Sequence, residues 1–242
     1  MRIVLLGSPG AGKGTQAKRL SETHRVAHIA SGDIFLRNIR EETELGKLAK
    51  PYYESGRLVP DELTLGMVVA AIRKAEGGFV LDGFPRNAVQ AEILEQELEA
   101  AGRPLQAALA LLIDGETAVK RIAGRRTCLN DEKHVFNVYF SPPREKGTCD
   151  VCGGTLVQRP DQTEEAVRKR FEVYKEQTAP LQKFYSDRGL LREVGASGTE
   201  DDVAGRVQVA LADLGGGTRP EQSSPGTRKR ADPPPPDDGA AP

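Results

Sequence analysis

The stretch Arg2-Ile3-Val4-Leu5-Leu6-Gly7-Ser8-Pro9-Gly10-Ala11-Gly12-Lys13-Gly14-Thr15 decides the fold. Its apolar half reads as a buried strand. Its glycine-rich half reads as a loop that runs into a helix. Glycines let the backbone turn tightly and aim N–H groups at phosphate oxygens, and the dipole of the following helix favours the same anion. Lys13 is spaced to reach the β- and γ-phosphates of a nucleotide. The candidate cradle is therefore Gly10, Ala11, Gly12, Lys13, Gly14 and Thr15. A general phosphate loop has Ser or Thr directly after its Lys; here Gly14 stands there, with Thr15 one later. The bland alternative is a Gly/Pro turn between a strand and a helix. Strand context, both framing glycines and Lys13 together argue against it.

Working outward, short apolar runs alternate with helical patterns. Ile3–Leu6, Val26–Ala30, Phe79–Leu81, Ala107–Ile113 and Leu190–Val194 read as strands. They are mostly continuous rather than alternating, as strands covered on both faces of a parallel sheet should be. Helical stretches lie at Gly14–His24, Asp61–Lys74, Val89–Ala101, Glu116–Arg125, Glu164–Asp187 and Asp201–Leu214. The pattern predicts an α/β fold with a doubly wound, five-stranded parallel sheet. Ligands in such folds bind past the carboxyl ends of the strands. The polar signals sit there: Gly7, then Ser31-Gly32-Asp33, then Asp82-Gly83.

Two stretches break the alternation. Residues 31–59 carry helical segments without a strand, and residues 126–162 are rich in turns, β-formers and all three cysteines. Both read as insertions at the ligand end of the sheet. After Leu214 there is no Leu, Ile, Val, Phe, Tyr or Met. Such a segment cannot bury enough apolar surface to offset its ordering entropy, so 215–242 is expected to be a disordered tail. Its Arg228-Lys229-Arg230 run reads as solvated charge rather than an address signal.

The charge balance, 34 basic against 35 acidic residues, gives no reason to expect a nucleic-acid or anionic-membrane partner. No apolar run approaches the roughly 18 residues a membrane span needs. Leu5-Leu6 passes straight into the glycine loop, so no signal peptide is expected. Cys128, Cys149 and Cys152 are an odd count in a chain read as unsecreted, which favours a metal or a free thiol over a disulfide framework. The expected compartment is the cytoplasm.

A second phosphate site follows the strand Phe79-Val80-Leu81-Asp82. A carboxylate at that strand end is where a phosphate-loop enzyme places the acid that helps hold Mg²⁺. Gly83-Phe84-Pro85-Arg86 then puts a rigid turn and an Arg beside the first site. Gln90, one helical turn beyond Arg86, offers a planar donor–acceptor pair suited to a base.

These residues resemble the adenylate kinase family. The matching runs are Gly10-Ala11-Gly12-Lys13-Gly14-Thr15-Gln16-Ala17, Ser31-Gly32-Asp33, Glu44-Leu45-Gly46, Gly56-Arg57-Leu58-Val59-Pro60-Asp61-Glu62, Leu81-Asp82-Gly83-Phe84-Pro85-Arg86, Gly124-Arg125-Arg126, Pro142-Pro143, Val167-Arg168-Lys169-Arg170 and Gln177-Thr178-Ala179-Pro180-Leu181. They cover residues 1 to about 200 in the family's order, and the family also carries Gly directly after its Lys. The resemblance implies a P-loop NTPase-like core (1–30, 60–123 and 163–214), an AMP-binding flap (31–59) and a small β-rich, zinc-ribbon-like lid (124–162). It implies phosphoryl transfer from Mg·ATP to AMP, giving two ADP, by a monomer.

By the same resemblance, Lys13, Asp82, Arg86, Arg125, Arg159 and Arg170 form the catalytic set. Arg121 and Arg125 join the glycine loop at ATP. Ser31, Arg57, Leu58, Val59, Gly83, Arg86, Gln90, Arg159 and Arg170 surround AMP. Arg126 and Arg168 read as ordinary surface charges. The acceptor is an already ionised phosphate oxygen, so no general base is needed; arginine suits the remaining work because it is always charged and grips two oxygens at once. Two positions depart from the family. Leu36 stands where an Arg is usual, with Arg37 one further as a substitute AMP contact about 100° round the helix. Gln162 stands where a second lid acid is usual, leaving Asp161.

The cysteines complete the reading. Cys149-x₂-Cys152 is a familiar half-site for a metal, and Cys128 with His134 can supply the other half. Asp131 competes with His134, although imidazole suits Zn²⁺ better in a thiolate-rich site. His24 and His28 read as ordinary helix-end and strand residues. Two other functions remain: a kinase for another nucleoside monophosphate, and a zinc-ribbon nucleic-acid module with a P-loop switch. The charge balance and the absence of interleaved basic and aromatic residues weigh against the second.

Overall fold

In a computed structural model, which describes residues 1–54 and 59–214, strand β1 (Arg2–Gly7) leads through the glycine loop into α1 (Lys13–His24). Then come β2 (Ala27–Ala30), α2 (Ser31–Arg40), α3 (Glu44–Glu54), α4 (Asp61–Lys74) and β3 (Phe79–Asp82). Next follow α5 (Ala88–Ala100), β4 (Ala107–Leu112) and α6 (Gly115–Ala123). A small sheet is made of β5 (Arg125–Cys128), β6 (Val135–Asn137) and β7 (Leu156–Val157). The chain closes the core with α7 (Glu164–Val173), α8 (Pro180–Ser186), β8 (Leu191–Gly195) and α9 (Glu200–Ala210). The expected tail 215–242, and Arg57 and Leu58 of the expected AMP contacts, lie outside the described residues.

The central sheet has five parallel strands in the order β2-β3-β1-β4-β8. Most apolar strand positions point to one of two cores. Val4, Leu6, Leu81 and Ala110 face α4, α5 and α8 through Met67, Val68, Leu94 and Leu181. Ile3, Leu5, Val80 and Leu109 face α1 and α9 through Ala17, Leu20, Val203 and Val207. This two-sided burial is why the runs are continuous in sequence. Burying a large apolar side chain is worth about 1.5–3 kcal/mol, so the strands are the rigid part of the molecule. Register then fixes the site: Asp82 lies level with Leu5 on one side and with Ala30 on the other.

Three expected boundaries change. The helix read through Arg125 stops at Ala123, because Arg125 pairs with Asn137 in the small sheet. The helix read over Glu164–Asp187 is interrupted by a wide π turn at Tyr174–Thr178, where Ala179 N–H donates to Tyr174 O at 2.9 Å. Pro180 explains the interruption: it has no N–H, and its ring would collide with the carbonyl four residues back. The last helix ends at Ala210, and a short 3₁₀ turn, Ala212–Leu214, follows.

Candidate functional site

The glycine loop packs tightly on the start of α6. Gly10 has φ +83°, and a Cβ there would collide with the Ala118 carbonyl, so the loop tolerates no side chain at this point. Lys13 opens α1 and folds back over the loop, donating from Nζ to Gly7 O at 2.7 Å and to Ser8 O at 3.0 Å. Burial lowers its pKa from the ordinary lysine value to about 8. Asp82 opposes that shift, while Arg170 and Arg86 add to it. A Cβ on Gly14 would lie 3.4 Å from Asp82 Oδ2, so the β3 carboxylate sits directly beside the loop.

The turn after β3 forms a second wall. Ser31 Oγ donates to Gly83 O at 2.9 Å, and Arg86 Nε donates to the same oxygen at 2.8 Å. Gly83 has φ +76°, and a Cβ there would come within 2.8 Å of Ser31 Oγ, so glycine is required. Burial lowers the Arg86 pKa, and Arg170 pushes it the same way. Gln90 is 3% exposed; its Oε1 accepts from Arg86 N–H at 2.7 Å and its Nε2 donates to Asp61 Oδ1 at 2.5 Å. These bonds leave one N–H and one lone pair of the amide for a ligand. Val59 is partly buried against the neighbouring core.

Other arginines divide into those held and those presented. Arg159 Nε lies 3.1 Å from Asp161 Oδ1, and Arg170 Nη1 lies 4.0 Å from Asp161 Oδ2, so one lid acid gathers both guanidinium groups. Arg125 is exposed on β5, and Arg121 reaches Gly198 O at 3.3 Å. Arg168 is engaged by Glu116 and Glu164, and Arg126 by the carbonyls of Ala123 and Arg125, so both serve the protein's own structure. Arg37 is exposed and lines a 290 Å³ cavity with His28 and Asp33, while Leu36 beside it is half-buried. Gln162 is buried, in contrast to the exposed Asp161.

Cys128, His134, Cys149 and Cys152 converge, with their ligand atoms all within 4.8 Å of one another. Cys128 Sγ lies 3.5 Å from Cys152 Sγ, and Cys149 Sγ lies 3.6 Å from His134 Nδ1. Edges of about 3.5–3.8 Å are those of a tetrahedral zinc site with ordinary Zn–S and Zn–N bonds. Burial raises the Cys128 pKa, but N–H groups of Asp131 and Asn130 and the neighbouring thiols outweigh it and bring the thiol down to about 7. Asp131 stands behind the cluster: its Oδ2 is 3.7 Å from His134 Nε2, and its Oδ1 accepts from Lys133 N–H at 2.9 Å. His134 therefore turns Nδ1 toward the thiols, and its other ring nitrogen faces Asp131.

Three contributors were not singled out from the sequence. Asp61 holds both Gln90 and Asn87. Thr178, on the π turn, donates from Oγ1 to Arg86 O at 2.9 Å and so braces the Arg86 backbone. His28 Nε2 lies 3.6 Å from Asp82 Oδ2. Pro180 was the available signal for Thr178. The other two depend on contacts between distant elements, which periodicity does not carry.

A family model described as adenylate kinase matches residues 5–190. An adenylate kinase of Streptomyces coelicolor is 54% identical over 213 residues, covering 87% of this chain and 98% of the relative. Adenylate kinases of Acidothermus cellulolyticus and Clostridium botulinum are 47% and 45% identical, each over 87% of this chain and 98% of its own length.

Proposed function

The chain belongs to the adenylate kinase family, and from that premise we propose how its residues divide the reaction, reversible phosphoryl transfer from ATP to AMP that yields two ADP. The observation that carries the reading is the concentration of positive charge at the strand ends. Arg86 and Arg170 lie close enough to Lys13 to disfavour its charged form, and Arg170 does the same to Arg86, with Asp82 the one carboxylate opposing both. A polyphosphate relieves that repulsion, so binding and charge neutralisation are one event.

On this reading the loop N–H groups and Lys13 hold the donor's β- and γ-phosphates. Arg86, Arg159 and Arg170 grip the transferring group and the AMP phosphate, and Arg125 and Arg121 lie on the ATP side. Ser31, Val59, Gly83 and Gln90 form the AMP wall, with Arg57 and Leu58 as further proposed contacts and Arg37 as a poorly aimed one. Mg²⁺, when bound, neutralises charge on the donor phosphates. Asp82, beside the Gly14 backbone and with His28 Nε2 3.6 Å from its carboxylate, is the acid that would help to hold it. The nucleophile arrives ionised, so the protein's task is alignment and charge stabilisation.

The domain division follows: a core of 1–30, 60–123 and 163–214, a flap of 31–59 and a lid of 124–162. We assign the Cys128–His134–Cys149–Cys152 cluster to a structural Zn²⁺. Four protein ligands leave no open position, so the metal would supply folding free energy to the lid rather than chemistry. Lid closure would exclude water from a reaction that otherwise leaks to hydrolysis. Three cysteines outside any disulfide fit a cytoplasmic enzyme. Among the described residues no helix is long and apolar enough to cross a membrane.

The test is ADP production from ATP with AMP, CMP, UMP or GMP as acceptor, with and without Mg²⁺. AMP should be preferred and Mg²⁺ required. Preference for another monophosphate would overturn the acceptor assignment while leaving the donor site standing.

A further inference from the structure

A helix leaves its last four carbonyls without partners inside the helix. At the end of α6 the Lys120 and Ile122 carbonyls are met by the Gly124 backbone N–H, and those of Arg121 and Ala123 by side chains of the small sheet's segment. Asn137, on β6, donates from Nδ2 to Arg121 O at 2.8 Å and reaches Lys120 O at 3.4 Å. Gln158, just past β7, donates from Nε2 to Ala123 O at 2.7 Å and to Gln162 O at 2.9 Å. The other half of the Asn137 amide faces outward: Oδ1 accepts from Tyr139 N–H at 2.9 Å and from Phe140 N–H at 3.3 Å. Those bonds close a tight turn that is bridged by its own ends, Asn137 and Ser141. A single side chain thus joins the helix to the lid turn.

Gly124 supports the same reading independently. Its φ of −76° and ψ of −13° are ordinary right-handed helical values, so its backbone does not call for glycine. Space does: a Cβ there would lie 2.5 Å from Asn137 Oδ1 and 2.6 Å from Tyr139 Cδ2. The missing side chain makes room for the amide.

We propose that Asn137 is a positioning residue for ATP, which fixes the lid hinge to the end of α6 so that Arg121 and Arg125 stay together at the donor nucleotide. The inference rests on the reading of those two arginines as donor-side groups. Arg121 is held from both directions, its carbonyl by Asn137 and its guanidinium by Gly198 O at 3.3 Å. Arg125 is the direct cross-strand partner of Asn137. Without the amide, the lid can swing while the two arginines fall out of step.

The experiment is steady-state kinetics on the full chain carrying Asn137→Ala or Asn137→Asp. Aspartate keeps the acceptor for Tyr139 and Phe140 but sets a carboxylate against the Lys120 and Arg121 carbonyls, so only the helix arm is cut. Each variant should raise KM for ATP about tenfold, the scale of one or two lost hydrogen bonds, with KM for AMP unchanged. ATP hydrolysis in the absence of AMP should rise relative to transfer, because a loosely hinged lid excludes water less well. Gly124→Ala should do the same, and combining it with Asn137→Asp should add little, since both break one contact. Should Asn137→Ala fail to fold, Asn137→Asp, which keeps the turn, carries the test. A wild-type KM for ATP in Asn137→Asp overturns the proposal, as does an equal rise in KM for both substrates. Arg121→Ala separates the layers. If it leaves KM for ATP unchanged, the donor assignment fails; if it raises that KM while Asn137→Asp does not, the hinge inference alone fails.

Discussion

The wall made by Ser31, Gly83, Arg86 and Gln90 is built from buried strand ends, whereas Arg125, Arg159 and Arg170 stand exposed on or beside the lid. Ser31 and Gln90 are 2% and 3% exposed, against 55% and 53% for the side chains of Arg159 and Arg170. The two regions are ordered by different means. The core wall inherits its geometry from two-sided apolar packing and from hydrogen bonds that link Asp61, Gln90, Arg86 and Thr178. The lid's own apolar core is only Cys128, Cys149 and Leu156, with Phe136 against them. It relies on a convergent Cys/His cluster that could hold a metal and on amides tied to the end of α6. If the lid closes as proposed, it cannot share the core's packing, so its rigidity has to be internal.

The sharpest way to break this comparison is at the point both regions serve. Lys13→Ala should lower kcat by several orders of magnitude while the protein stays folded, melting at or above the wild-type temperature because a buried charge is removed. Its ammonium is aimed at charge that shifts during transfer, and such preorganised groups are commonly worth about 3 kcal/mol or more. A folded Lys13→Ala protein with near-normal turnover would sink the loop's role. Next in size is the lid. Metal analysis should find about one Zn²⁺ or similar ion per chain, in keeping with a closed four-ligand site. Cys149→Ser or chelation should lower the melting temperature, and loss of activity should follow lid unfolding rather than precede it. His134→Ala should lose the metal, and Asp131→Ala should weaken it by about 10–100-fold, as expected for a group that orients a ligand. No metal in the untreated protein, with all three thiols freely reactive, would remove the basis for a separately ordered lid.

Reading the sequence reached the two regions to different depths. The sheet was legible almost strand for strand, because two-sided burial writes continuous apolar runs such as Val80-Leu81 and Ala107–Leu111. The cradle was legible because it is local: Gly10 to Thr15 carry their own geometry. Lid contacts were not, since they join residues through tertiary structure. Competition between Asp131 and His134 for one ligand position could not be decided by spacing alone. In the structure both act, His134 facing the thiols and Asp131 facing His134. Likewise the helix was read straight through Pro180, the one local signal of a break, and nothing in the sequence showed that the resulting turn would brace Arg86 through Thr178. Arg126 and Arg168, read as ordinary surface charges, have definite partners within the protein rather than being merely solvated.

A smaller effect should appear with pH. The folded-state pKa of Lys13 is lowered to about 8 from the ordinary lysine value of 10.5. Below pH 8 the folded protein carries a buried charge that the unfolded chain carries in water, so the group is destabilising there. As pH rises from about 8 to about 10.5 the folded state sheds the proton first, and that penalty is relieved by up to about 3 kcal/mol. Denaturation across this window should show stability from this group rising with pH, and Lys13→Met should flatten the rise. A profile that does not differ between the two proteins would mean that Lys13 is better solvated than its surroundings imply. In the same window KM for ATP should increase, because the ammonium that binds phosphate is being lost.

The smallest change tests the core wall where the sequence departs from its family. Leu36 is half-buried on α2, and Arg37, about 100° further round, lines the cavity with His28 and Asp33. That cavity does not include Ser31, Gly83 or Arg86, the residues of the proposed AMP wall. Leu36→Arg should therefore supply a phosphate contact that Arg37 is poorly aimed to make, lowering KM for AMP by about threefold to tenfold, the worth of one charge-assisted hydrogen bond. KM for ATP should stay fixed, because the change lies on the acceptor side only. Arg37→Ala is the matching arm and should change KM for AMP little. If instead Leu36→Arg has no effect and Arg37→Ala weakens AMP binding, Arg37 already does this work. The acceptor wall would then share with the lid a dependence on exposed, adaptable arginines, and the contrast between the two regions would be weaker than their burial suggests.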